Sequence, residues 1–237
     1  ANNCATFAVA LHYARMSLIS EECDVAVVAA GSVAPEDTGY YFVENDIYSS
    51  DGHCQPFSQE ATGTVMSDGL TVAILKRLRD AQLDRDEILC IVKGSAVGSD
   101  GTLSGVTRYV PSAQGQAETL ERVFESSHVD PSSVSLVEAH GTGTRVGDLI
   151  ELESLTAVFK KSQREKKCIL GSIKGNIGHT AVTAAGPSII KAALALKHAL
   201  LPPTMNCEAP IPELKESTCF EVIAKPISWP LSSSHNK

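Results

Sequence analysis

The chain has 237 residues, a formal net charge of -8 and 43% hydrophobic residues, enough apolar material to bury a substantial core in one large domain or two small ones. With 28 acidic against 20 basic residues and no dense Lys/Arg run, it lacks the electrostatic footprint of a nucleic-acid binder or of a protein held on anionic membranes. Seven cysteines without a CxxC pair fit no complete disulfide framework and suit a reducing, cytoplasmic setting, and the absence of a long apolar run or a basic leader predicts neither a membrane span nor a secretory signal.

Apolar residues at three- and four-residue spacing, Ala8, Leu11, Met16, Leu18 and Ile19, predict a mostly buried helix over 5–19 with Cys4 at its first turn. The unbroken apolar run over 24–31 predicts a buried strand ended by Gly31. Residues 31–69 are irregular, with Pro35, Gly39, Gly52, Pro56 and Gly63 around Tyr40-Tyr41-Phe42, and so long an excursion normally has a job. Strands are expected over 70–75 and 88–92 on either side of a charged helix over 76–85. A glycine-rich passage, 98–105, carries neither GxGxxG nor a following Lys-Ser/Thr, so no phosphate cradle is expected there. Further on, the pattern predicts a helix over 113–127, a strand over 134–138, a helix over 148–160 and a strand over 168–173. An Ala-rich helix over 180–200 is then expected to be stopped by Pro202-Pro203. Helices alternating with buried strands predict a layered α/β architecture. The missing initiator Met and the serine-rich residues 231–237 read as a chain cut from something longer.

Cys4 is expected to stand at a helix N-terminus, where unpaired amides and the helix dipole favour the thiolate and offer donors to an oxyanion. His140 follows a strand and precedes Gly141-Thr142-Gly143-Thr144, a position at a sheet's C-terminal edge where ligands bind. The glycines let an extended arm pass close and the hydroxyls of Thr142 and Thr144 can donate to its amides; a plain turn would explain the glycines but not the threonines. His179 likewise follows a strand, with Lys174 and Asn176 just upstream, and a nearby cation would keep its imidazole neutral. Lys174 needs a counter-charge; Glu151 is either that partner or a solvent-facing carboxylate. No HExxH or CxxC spacing supports a metal site.

Together, Cys4 with Val9-Ala10-Leu11-His12, Glu138 to Thr144, Gly147-Asp148-Leu149-Ile150-Glu151 and Lys174 to His179 resemble, in order and spacing, the β-ketoacyl synthase domain of polyketide and fatty acid synthases. The resemblance covers nearly the whole chain. Gly178-His179-Thr180, Ala184-Ala185-Gly186 and Leu201-Pro202-Pro203-Thr204 are most similar to the large multidomain synthases.

The resemblance implies an incomplete thiolase-like fold: βαβαβ halves with helices between and outside the sheets. Residues 1–86 would be the end of the first half and 87–237 a second half lacking its closing glycine-rich strand. It implies acyl transfer to Cys4, then decarboxylative condensation with a malonyl thioester activated by His140 and His179. Lys174 would orient His179 and pair with Glu151, Asn176 would support them, and Thr142 and Thr144 would contact a phosphopantetheine arm supplied by an acyl carrier protein. The resemblance implies no bound cofactor or metal, a homodimer formed partly through 24–31, and a place in a larger synthase. Its oxyanion hole would use the Cys4 amide and a second donor from the closing strand. Cys4-Ala5-Thr6-Phe7 stands where the family has a cysteine followed by serines, and Phe7 is expected to narrow the acyl tunnel. Ser67-Asp68-Gly69 and Lys174-Gly175-Asn176 also depart from the family pattern. A non-catalytic scaffold that binds a carrier protein or a partner subunit is the alternative reading.

Overall fold

The computed structural model describes residues 2–33, 39–44, 46–100 and 111–229. Residues 101–105 of the glycine-rich passage and the serine-rich 231–237 lie outside them. The first helix, α1 (Thr6–Ile19), begins after a single 3-10 turn, Asn3–Ala5. The Thr6 hydroxyl accepts from the Asn2 amide and donates to the Asn3 carbonyl at 2.9 and 2.7 Å, tying the turn to the helix. Cys4 therefore sits on the turn ahead of the helix, just after Asn3, which has a left-handed φ of 47°.

Strands β1 (Val25–Ser32) and β2 (Gly69–Lys76) pair antiparallel along their whole length. Their period-two alternation puts Val28, Ala30, Ala73 and Leu75 on the face toward α1 and leaves Val25, Val27, Leu70, Val72 and Ile74 exposed. Phe7, with no exposed surface, anchors this layer together with Leu11 and Val28, against Ala185 and Ile189. Complete burial of such a side chain stabilises by roughly 1.5–3 kcal/mol. Phe7 is thus a core residue of this layer.

Helix α2 (Leu78–Asp84) follows β2 directly. Residues 88–92 form no ladder with any described residue and carry no regular structure, against the expectation of a strand there; among the described residues their apolar pattern has no neighbouring strand to pair with. Helix α3 (Ala113–Ser127) starts where expected, capped by the Ser112 hydroxyl accepting from the Gly115 amide at 3.2 Å.

Strand β3 (Leu136–Glu138) pairs parallel with β4 (Cys168–Gly171), which pairs parallel with β6 (Phe220–Glu221). Helix α4 (Arg145–Phe159) connects the first two strands and covers them, its Leu152, Leu155 and Phe159 meeting Leu170 and Phe220 in the larger core. Parallel pairing has one functional consequence. β3 and β4 end in register at Glu138 and Gly171, so the loops carrying His140 and Lys174 leave the same edge of the sheet.

The Ala-rich segment is not one helix over 180–200. A 3-10 turn, Ala181–Thr183, and helix α6 (Ala185–His198) divide it, and a one-turn helix α5 (Lys174–Ile177) precedes it. The later start has a local cause: Ala181 takes a left-handed φ of 46° and gives its amide to the His179 ring at 3.0 Å, which an uninterrupted helix would forbid. The end also comes early. Ala199 closes α6 in the left-handed conformation, because β5 (Leu200–Leu201) must be extended to pair with β7 (Ile227–Ser228) and the residue before proline disfavours helix. The short α7 (Pro212–Lys215) precedes β6.

Candidate active site

Cys4, His140 and His179 come from three separate elements, yet one ligand-type atom from each lies within 4.8 Å of the other two. The turn before α1 supplies the thiol, the β3 edge supplies His140, and the loop between α5 and α6 supplies His179. The two imidazoles stand edge to face, with centroids 5.3 Å apart and planes at 89°.

One backbone contact and one side-chain contact set the tautomers of the two rings. His179 Nδ1 accepts from the Ala181 amide, so in the neutral ring Nε2 carries the proton. His140 Nδ1 faces the Lys174 ammonium at 3.4 Å, which assigns the proton of that ring to Nε2 as well. By distance alone the cluster would serve as a Cys-His-His metal set. With both Nδ1 atoms engaged, each neutral ring instead offers an Nε2–H donor beside the thiol, an arrangement suited to a developing oxyanion.

Burial lowers the pKa of His179, only 4% exposed, to about 4, with Lys174 adding to the effect. His140 keeps an exposed outer edge, but desolvation among the packed atoms around its ring, then Lys174 and His179, push its pKa to about 3. Both rings are therefore neutral at physiological pH. Cys4 departs from expectation: its thiol is pushed up, because burial outweighs its own backbone contact and the attraction of Lys174. It is a thiol at neutral pH rather than a standing thiolate.

Lys174 is 2% exposed, and burial lowers its pKa while Glu151 opposes. Its ammonium donates to the His140 carbonyl at 2.6 Å. Lys174 thus holds His140 directly and not, as expected, His179, which it reaches only through its field. The expected Lys174–Glu151 ion pair is also absent among the described residues. Helix α4 carries the Glu151 carboxylate onto the His140 and Gly141 amides, at 2.7 and 2.8 Å, so cation and anion grip the two ends of one peptide stretch. Burial raises the Glu151 pKa against those two bonds.

The Thr142 and Thr144 hydroxyls lie 2.9 Å apart and are partly exposed. Asn176 is exposed, with its amide given to the Ile173 carbonyl. Gly141 has φ 42°, and a Cβ there would come within 2.7 Å of Ser172 Cβ and 3.0 Å of Phe57. Only glycine lets the His140 loop lie that close to β4.

Several supporting residues had no signal beyond their motif. Asp148, 3% exposed, accepts from the Phe57 and Gly143 amides at 2.7 and 3.2 Å, clamping Phe57, in the irregular 31–69 excursion, to the His140 loop. The same excursion grips His179, whose amide donates to the Val65 carbonyl at 2.7 Å while its carbonyl accepts from Ser67 at 3.1 Å. The Asn206 side-chain amide donates to the Cys54 and Gly175 carbonyls at 3.1 and 3.0 Å. These are long-range contacts, and no local pattern announces them.

Burial, with Glu151 as a like charge, raises the Asp148 pKa to about 7 against its amide donors. A raised carboxyl binds its proton more tightly in the folded state, so its stabilisation is complete below the unfolded pKa of about 4 and fades as pH rises toward 7. The two depressed histidines act oppositely, adding stability as pH climbs from their folded values toward about 6.5. Asp148→Asn, which keeps one oxygen acceptor, is expected to steepen the rise of stability with pH between about 4 and 7. Denaturant unfolding across that range checks it; an unchanged slope would mean that Asp148 ionises normally.

Two β-ketoacyl synthase family models match the chain, the N-terminal domain over residues 2–81 and the C-terminal domain over 89–208. A phenolphthiocerol/phthiocerol polyketide synthase of Mycobacterium tuberculosis is 39% identical over 230 residues, 95% of this chain and 15% of the relative. Polyketide synthase PksL of Bacillus subtilis is 40% identical over 209 residues, 87% of this chain and 5% of that protein. The solved ketosynthase twelve of the bacillaene polyketide synthase from Bacillus amyloliquefaciens superposes with a TM-score of 0.92 at 34% identity, covering 98% of this chain and 42% of its own. The chain therefore spans less than half of the ketosynthase it matches and a small part of the synthases.

Proposed function

The chain belongs to the β-ketoacyl synthase family, with the thiolase-like α/β fold of its ketosynthase neighbours, and on that premise we propose that it carries the condensing site of a polyketide-type synthase. The observation that carries this reading is the convergence of Cys4, His140 and His179 within 4.8 Å. An acyl chain arrives as a thioester on the phosphopantetheine arm of an acyl carrier protein. Cys4 Sγ attacks its carbonyl, the pantetheine sulfur leaves, and the Cys4 proton passes to it. That proton transfer is why a protonated resting thiol is compatible with the reaction.

A malonyl thioester then enters with its carbonyl oxygen toward the two Nε2 protons. Loss of carbon dioxide leaves the electron pair as an enolate, whose oxygen His140 and His179 stabilise as donors. The enolate carbon attacks the acyl carbonyl on Cys4, the Cys4 sulfur is expelled as a thiolate that takes a proton from solvent, and the β-ketoacyl carrier product is left. Lys174 and Glu151 hold the His140 peptide in place through both steps, and the Thr142 and Thr144 hydroxyls are available to the arm's amides. Homodimerisation and a place among carrier and transferase domains belong to the same proposal.

Mass spectrometry after incubation with acylated carrier protein tests it: an acyl adduct on Cys4 supports the enzyme, and its absence supports a binding scaffold. The depressed imidazoles add a second check. With folded values of about 3 and about 4, the rate of malonyl decarboxylation is expected to show no acid limb near pH 6.5. A limb with that midpoint would mean that the rings titrate normally and that their neutral-donor role is wrong.

A further inference from the structure

Glu138 ends β3, two residues before His140, and its side chain is 5% exposed. One carboxylate oxygen accepts from the Ile173 amide, the residue immediately before Lys174. The other meets the Lys191 ammonium of α6 at 2.7 Å, with the Lys191 side chain 10% exposed. That contact is an ion pair, and neither atom has another hydrogen-bond partner among the described residues. Space for it exists because residue 171 is glycine: a Cβ there would stand 3.1 Å from the carboxylate and 3.3 Å from the ammonium.

The location matters more than the pair itself. The β3–β4 ladder stops at Glu138 and Gly171, so sheet pairing no longer sets the distance between the two loops just where His140 and Lys174 begin. One carboxylate there touches the strand leading to His140, the backbone leading to Lys174 and the helix that follows His179. Lys191 also borders an apolar cavity of 490 Å³ lined by Leu70, Ile177, Ile190 and Leu194, surroundings that leave Glu138 as its compensating charge. A buried pair of this kind adds little net stability compared with an apolar substitute, but it fixes geometry when breaking it strands a charge.

We propose that Glu138 and Lys191 are positioning residues, an ionic brace that holds His140, Lys174 and the His179 loop in mutual register. The proposal rests on the condensing function above. Neither residue touches the thiol or the imidazole donors, and the brace acts through Ile173 and α6.

The test compares Glu138→Gln, which keeps an acceptor for Ile173 but no charge, Lys191→Met, and the double variant, which strands no buried charge. A brace predicts that the double variant regains thermal stability near wild type while its kcat for decarboxylative condensation stays depressed. The expected fall is about 10²-fold, the scale of an ångström-level misplacement, with the KM for malonyl carrier little changed and Cys4 still acylated. Should the single variants not fold, the double variant alone decides. Wild-type kcat in the double variant, or kcat tracking melting temperature across all three, overturns the brace and leaves only charge balance. A wild-type protein that neither acylates nor condenses sinks the functional reading and the brace with it; a condensing wild type whose double variant matches it sinks the brace alone.

Discussion

Cys4→Ala is expected to remove the acyl-enzyme adduct altogether and to lower condensation by at least about 10³-fold, the scale on which loss of a covalent nucleophile acts. The thiol is half buried on a turn, its pKa raised, and its nearest chemical neighbours are two imidazoles. None of the six other cysteines shares that setting: those at 54, 168, 207 and 219 are buried, with burial pushing Cys168 and Cys207 up to about 12, and the partly exposed Cys23 and Cys90 join no such histidine cluster among the described residues. The adduct should therefore appear at one site only. Peptide mapping of protein incubated with labelled acyl carrier protein gives the answer, and label surviving in Cys4→Ala would assign the nucleophile elsewhere. Folding should be little affected, since the substitution removes one sulfur from a partly exposed position and leaves the Thr6 contacts intact.

His140→Ala and His179→Ala are expected to separate the half-reactions. Each removes one of the two donors proposed for the enolate oxygen, which is expected to cost on the order of 10²–10³-fold in rate, while the transfer of the acyl group to Cys4 continues. The variants should differ in secondary effects. Loss of the His140 ring leaves its backbone grip on Lys174 and Glu151 in place, because both contacts go to main-chain atoms. Loss of the His179 ring frees the Ala181 amide, so the turn before α6 loses its internal tie and stability falls as well. Release of labelled carbon dioxide from malonyl carrier, read beside Cys4 acylation, reports both outcomes. Decarboxylation at wild-type rate in both variants would overturn the donor assignment.

Lys174 and Glu151 illustrate how far a sequence reading reaches. From the sequence, Lys174 needs a counter-charge and Glu151 is either that partner or a solvent-facing carboxylate; the structure brings both to the His140 loop. Their partners are not legible in the sequence. Spacing puts Lys174 beside His179, only five residues away, but it contacts the distant His140; Glu151, expected to meet Lys174, instead receives two amides. Parallel β3–β4 pairing decides this, by carrying two loops distant in sequence to one edge. The helix over 113–127 is readable to the residue because its periodicity and its cap are both local. The segment 180–200 is not, because a ring-to-backbone bond at His179 interrupts it, and residues 88–92 read as a strand although a strand is defined by its partner.

What the sequence determined by itself was the set of reactive residue types: a thiol ahead of a helix, two histidines in glycine-rich settings and a lysine beside one of them, with α/β periodicity around them. These are properties of residue type and short-range order, which survive without knowledge of contacts. The tertiary structure alone decided which nitrogen of each ring carries a proton, which side chain holds which peptide, and that Cys4 rests as a thiol. Each of those depends on desolvation and on hydrogen bonds closed between segments far apart in the chain, and such bonds come into being only when the sheet edges, turns and central helices are packed together.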